Sequence, residues 1–394
     1  MKTVLAIVAA LLFVAAFAMA RRPAPEVKRP MAPTQPPSAT ALPPPRTETP
    51  APPAPPVEKP APPPRDPIDA MFDRLLEAFR RGDREAVAKL VKELLALSKP
   101  ADVPPEQNGA FAYLKAFEVM SALSEAETAA VAAMQAGTPT PDQVALLEAL
   151  VARNREAIEA MKAAGAYEKC AYPVAYEKLF DAELAHISKV MQGMKLLESD
   201  AFLLARRGDD SAASKLAMQR LGDSLAGEPI LISQLVRNVV LQHAGQGDPA
   251  TLRPILKQVM MMELAAGIDW GMQQVAAGRE ASPEIVAMAE HYIESMREAS
   301  ALFPRPWHET REAWKALLAR VTTGDWRADG SRMLLPAFDN VADRIATTEA
   351  MLGAPLDPFT GKAYLKRGSV TYSVGPNGID DGGDPKLDVV VPAK

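Results

Sequence analysis

Cysteine is almost absent. Cys170 is the only one in 394 residues, so no intramolecular disulfide can form and stability must come from packing. Nothing basic beside it in sequence would hold a thiolate, and the thiol reads as a small buried hydrophobe. With no cysteine near the N-terminus, a lipid anchor there is excluded as well. A surplus of positive charge is also missing: the chain carries a formal −5, and residues 66–352 alone hold −10. Phosphate contacts need clustered Lys and Arg, so the composition speaks against nucleic acid as a partner. Aromatics are scarce at 6% while prolines number 37, and both figures have a local cause.

That cause lies in the first 65 residues. Lys2 precedes the apolar run TVLAIVAALLFVAAFAMA, which ends in Ala18-Met19-Ala20, a small-x-small cleavage signature. Residues 1–20 therefore read as a signal peptide or a membrane anchor, since about 18 apolar residues can just span a bilayer and Arg21-Arg22 disfavours translocation of that flank. Either route exports the remainder to the periplasm or leaves it tethered to the envelope, with residues 3–20 as the membrane tether. Residues 21–65 hold 18 prolines among alanines and scattered charges. Such a segment cannot bury a core and favours extended polyproline II, with a reach on the order of 140 Å when fully stretched. It is a disordered linker.

From residue 66 the pattern becomes helical. Asp66-Pro67 is an N-cap followed by proline at the first helical position. Ile68, Met71, Phe72, Leu75, Leu76 and Phe79 then recur on one face. Arg80-Arg81-Gly82-Asp83 ends that helix and starts the next: basic groups sit on the negative end of the dipole, Gly supplies a left-handed cap, and Asp caps the second helix. The same punctuation recurs at Arg206-Arg207-Gly208-Asp209, and in reduced form at Gly247-Asp248-Pro249 and Gly324-Asp325. Further helical runs are predicted at 110–136, 140–165, 178–206, 210–225, 229–244, 251–278, 283–302, 306–321 and 332–352. Short polar junctions favour antiparallel hairpins, and their irregular spacing excludes a tetratricopeptide-type repeat. The fold class expected is mainly α: an irregular antiparallel helical bundle or short solenoid over 66–352. At Gly353 the pattern changes. KAYLKRGSVTYSV reads as two strands joined near Gly368 and LDVVVP as a third, giving a small three-stranded β module over 353–394 that packs on the preceding helix.

Signatures of catalysis are missing. His308-Glu309-Thr310-Arg311-Glu312 resembles the start of a zinc-protease motif, but Glu312 stands where the second histidine is required. His186, His243 and His291 fall on separate predicted helices. No nucleophile elbow or phosphate loop occurs, and the run Met260-Met261-Met262 sits among apolar core positions. One segment stands apart. Asn377, Asp380, Asp381, Asp384 and Asp388 place five oxygen-bearing side chains within twelve residues. Gly375, Gly378, Gly382 and Gly383 let the backbone curl around them. Hard cations such as calcium take six to eight oxygens, so this loop is a candidate calcium site; the alternative is a solvated turn joining strands. It is no EF-hand, because Ile379 falls at the third loop position.

DPFTGKAYLKRGSVTYSVGPNGIDDGGD, residues 357–384, resembles the C-terminal module of type II secretion major pseudopilins, through Asp357, Pro358, Phe359, Tyr364, Tyr372, Ser373, Gly375, Asn377 and Gly378. The resemblance implies a calcium role for the loop acids, most directly Asp380, Asp384 and Asp388, with a carbonyl near Val374. The prepilin cleavage glycine and the spine helix with Glu at its fifth position are missing, so incorporation into a pilus is not implied. NGAFAYLKAFEVM and CAYPVAYEKLF, with the same C-terminal stretch, also look like exported bacterial proteins with a long helical body. The expectation is a non-enzymatic, exported scaffold or binding module with a protein partner in the cell envelope and no evident small-molecule substrate. The alternative is an envelope hydrolase with an acidic site in a groove between helices.

Overall fold

The computed structural model describes residues 67–245, 253–276, 283–303, 305–323, 331–351 and 353–391. The N-terminal apolar run, the proline-rich segment, Asp66 and the junctions at 247–249 and 324–325 lie outside the described residues. From Pro67 onward the chain is one compact unit. It is mainly α-helical with a small three-stranded antiparallel sheet near the C-terminus.

Local chemistry sets the helix ends. α1 (Pro67–Arg80) buries Met71, Phe72, Leu75 and Leu76, and turns into α2 (Arg84–Ser98) where the Asp83 carboxylate accepts the Ala86 amide at 3.0 Å. The run predicted as one helix at 110–136 is two, α3 (Gly109–Glu118) and α4 (Glu125–Gln135), because Ser124 and Glu127 form a reciprocal capping box that starts a new helix. The run 140–165 likewise divides into α5 (Pro141–Arg153) and α6 (Arg155–Ala164). At the break, buried Asn154 donates to the Leu150 carbonyl at 2.9 Å and accepts the Ser121 amide at 2.8 Å. A side-chain amide that competes for backbone groups interrupts the ladder.

Residues 165–184 are irregular apart from a 3₁₀ turn, Tyr176–Asp181, so the helix predicted from 178 starts later, as α7 (Ala185–Arg207). It stops at Gly208, whose φ of +81° is the left-handed cap that the Arg-Arg-Gly-Asp spelling implies. α8 (Ala212–Asp223) and α9 (Leu231–His243) come next. Then come α10 (Arg253–Ala276), α11 (Pro283–Leu302), α12 (Trp307–Thr323) and α13 (Ser331–Met351).

Two helical groups share α9. α3–α8 close around a core that includes Phe117, Leu147, Leu150, Ile158, Met161, Leu196, Leu197 and Leu221. α1 and α2 pack on α11 and α10, and α11–α13 enclose an aromatic cluster in which Phe303 meets Trp314 and Phe338 edge-on, centroids 5.2 and 5.4 Å away. α9 touches α7 and α8 on one side and α10 and α13 on the other. It is therefore buried nearly all round, polar Ser233, Gln234, Arg237 and Asn238 included.

The sheet matches the expected strands. β1 (Leu365–Arg367), β2 (Val370–Ser373) and β3 (Val389–Val391) pair antiparallel in the order β1-β2-β3, with Leu365 opposite Tyr372 and Tyr372 opposite Val390. β3 lies on α13, and α12 adds a second support: the His308 amide donates to the Pro358 carbonyl at 3.1 Å and the Arg311 guanidinium to the Pro376 carbonyl.

Candidate functional site in the C-terminal module

The module is organised on Asp357, which is 1% exposed. Its carboxylate accepts the Phe359 amide at 2.9 Å, the Ser373 hydroxyl at 2.7 Å and the Thr360 hydroxyl at 3.0 Å. Its own amide donates to the Lys362 carbonyl at 2.8 Å. The Asp-Pro-Phe-Thr-Gly spelling thus makes a self-capped turn whose carboxylate reaches across to the end of β2. Three hydrogen bonds meet at one buried carboxylate and a fourth leaves its backbone amide, tying the turn before β1 to the end of β2.

The acidic loop, residues 375–388, leaves β2 at that point. Asp388 is buried, and its two oxygens accept the Asp381 amide at 3.4 Å and the Gly383 amide at 2.6 Å. Asp380 accepts the Tyr372 hydroxyl and the Gly382 amide, each at 2.9 Å. Asn377 caps the Ile379 amide at 2.9 Å and donates to Asp381 at 2.8 Å, while Asp384 caps the Lys386 amide at 3.0 Å. All five residues singled out from the sequence are in one loop; Asn377, Asp380, Asp384 and Asp388 each hold backbone amides, and the Asp381 carboxylate is held by the Asn377 side chain. Among the described residues no three His, Cys, Asp or Glu side chains converge as a metal group. One oxygen each of Asp380, Asp381 and Asp384 accepts no hydrogen bond from a described residue. Those three free oxygens, with the backbone carbonyls beside them, are hard donors of the kind a calcium ion takes.

Cationic side chains brace this loop from two sides. Arg367 of β1 donates to the Gly382 carbonyl at 3.2 Å. Arg311 of α12 lies so close to Gly378, at φ +68°, that a Cβ there would stand 2.1 Å from its Nη1. The His308 ring occupies the corresponding space at Gly361. The failed zinc-protease spelling on α12 thus supplies the two side chains that seat the module, while Glu312 pairs outward with Lys315 at 2.8 Å. Sequence spacing offered no signal for this contact, which joins positions some 50 to 65 residues apart.

The other sequence candidates fall elsewhere. Cys170 is half-buried, and burial pushes its thiol up to about 11, against a reactive role. Met260, Met261 and Met262 are core residues. His243 sits 2.8 Å from Glu198 on the partly exposed side of α9. His186 is different: it is buried, its Nε2 is 2.8 Å from the buried Glu228 carboxylate, and its ring stacks on Tyr172 with centroids 4.3 Å apart. The separation of 42 positions between His186 and Glu228 hides this pairing from any local motif. Comparison of the chain with protein-family models, curated proteins and solved structures finds no match.

Proposed function

We propose that this chain is an exported, envelope-tethered helical scaffold or binding module whose C-terminal pseudopilin-like loop is ordered by calcium, and that it acts by engaging a protein partner rather than by catalysis. The observation that carries the reading is the construction of the C-terminal module. A loop of four aspartates is positioned at the end of a helical body by Asp357 within and by His308 and Arg311 beneath. A carboxylate-rich loop costs electrostatic repulsion that a divalent cation relieves, so a bound ion would tighten the loop that these contacts position. Asp380, Asp381 and Asp384 do not converge as they stand and would have to draw together to hold the ion, with Asp388 and Asn377 shaping the loop around it. The bound ion would supply charge neutralisation. The apolar run of residues 3–20 and the proline-rich segment supply export and reach.

The experiment is cross-linking of the full chain in intact cells, with and without a calcium chelator, alongside a chain lacking residues 353–394. A discrete envelope adduct that requires both calcium and the module supports the reading. Recovery of the chain in the cytoplasm, or an adduct indifferent to both, overturns it.

A further inference from the structure

The C-terminal sheet has an open edge. β1 is its outer strand, and β2 is the strand it pairs with among the described residues. Gly368 and Ser369 alone separate Arg367 from Val370, and the register sets Arg367 opposite Val370, Lys366 opposite Thr371 and Leu365 opposite Tyr372. In such a hairpin the pair beside the turn exchanges hydrogen bonds and the next pair does not, so the Lys366 amide and carbonyl point away from β2. Backbone groups left in that position accept another strand.

Charge is divided across the module. Residues 362–367 carry Lys362, Lys366 and Arg367 and no acid, whereas four aspartates gather in the loop at 380–388. Arg367 is engaged by the Gly382 carbonyl at 3.2 Å, but Lys362 and Lys366 are exposed and neither has an acidic partner among the described residues. The same lysines work against self-pairing, because two copies joined edge to edge would set basic side chains against each other. On the outer face of the sheet, the register aligns Leu365, Tyr372 and Val390, with Val370 two residues before Tyr372, and both valines are exposed.

We propose that β1 is the docking edge for an extended acidic segment of a partner protein, which adds as a fourth strand with carboxylates opposite Lys366 and apolar side chains beside Leu365. Main-chain hydrogen bonds to Lys366 supply the attachment, and the basic side chains select the charge. The inference rests on the partner-binding reading above and gives that partner a chemistry. An ion in the acidic loop would lessen the repulsion between its aspartates and such a segment.

Fluorescence anisotropy of the full chain tests it, with a dye-labelled Glu-Val-Glu-Val-Glu-Val peptide and its Lys-Val counterpart, each titrated in calcium and in chelator. The Glu-Val peptide should bind at least about fivefold more tightly than the Lys-Val peptide. Lys362→Glu combined with Lys366→Glu should reverse that preference, a gain of binding that a misfolded module would not give. Preference for the Glu-Val peptide in either solution supports the inference, so a calcium titration that fails counts against the ion and not against the edge. No binding in both solutions, equal affinity for the two peptides, or a preference that survives the charge reversal would each overturn it, even where the loop binds calcium.

Discussion

Glu263 on α10 offers a sharp test of how the helical body is held together. Its side chain is buried between the two helical groups and accepts the Leu231 amide, at the start of α9, at 3.1 Å. Burial raises its carboxyl from 4.5 to about 7, and the Leu231 hydrogen bond offsets only part of that. The folded value lies above the unfolded one, so the neutral form is the one the fold prefers. The stability it contributes is fully present below pH 4.5 and is lost as pH rises through about 7. Raising a carboxyl from 4.5 to about 7 corresponds to about 3 kcal/mol between the two limits. Glu263→Gln keeps the oxygen that accepts from Leu231 and removes the titration. Urea unfolding of both proteins at pH 5 and pH 8 reads the difference. Any fixed cost of the amide is the same at both pH values and cancels. The variant should gain about 2–3 kcal/mol on wild type between those pH values. A gap that stays constant would mean that Glu263 ionises freely, and that α9 and α10 do not seal it from water.

Three further outcomes rest on the sequence and the same contacts. Asp357→Ala strands the Phe359 amide and the Ser373 and Thr360 hydroxyls, and should cost the module about 2–4 kcal/mol. Trypsin should then cut at Lys362, Lys366 and Arg367 while helical circular dichroism holds; resistance to trypsin would refute the hub. Gly378→Ala puts a methyl group against Arg311 at a left-handed backbone position, and should loosen the loop by about 1 kcal/mol, read as faster amide exchange over 375–388. Exchange there no faster than wild type would show that Arg311 does not brace it. Cleavage after Ala20 should leave a mature chain beginning at Arg21, and mass spectrometry showing an intact Met1 terminus would make residues 3–20 an anchor instead.

The helices were legible wherever amphipathic spacing met explicit punctuation. Asp83 caps α2 and Gly208 ends α7 at the positions their spelling implies. Periodicity failed where a polar side chain intervened. Ser124, Glu127 and Asn154 divide two apparent long helices, because each offers the backbone a partner that continuous periodicity does not reveal. The strands were legible from alternation and from Gly368. The five loop residues were found from composition alone, yet composition says nothing of how their oxygens are engaged; Asp388 buried over the Asp381 and Gly383 amides is a tertiary fact. Long-range pairs were out of reach for the same reason. His186 with Glu228, Asp357 with Ser373 and Arg311 with Pro376 are each ordinary residues until the fold brings them together.

The most direct test of the proposed function is calorimetric titration of residues 66–394 with calcium, followed by proteolysis of the same samples across residues 372–391. Any stabilisation follows mass action and should be visible at millimolar calcium even for a weak extracellular-type site. One binding event is expected, with protection confined to the C-terminal module and a helical body that melts almost unchanged. Asp384→Ala should abolish both signals. It is a cleaner probe than Asp388→Ala, because Asp388 also caps two loop amides and its loss loosens the loop with or without the ion. No heat of binding and no calcium-dependent protection would contradict the account and leave the loop a solvated turn held by its own hydrogen bonds.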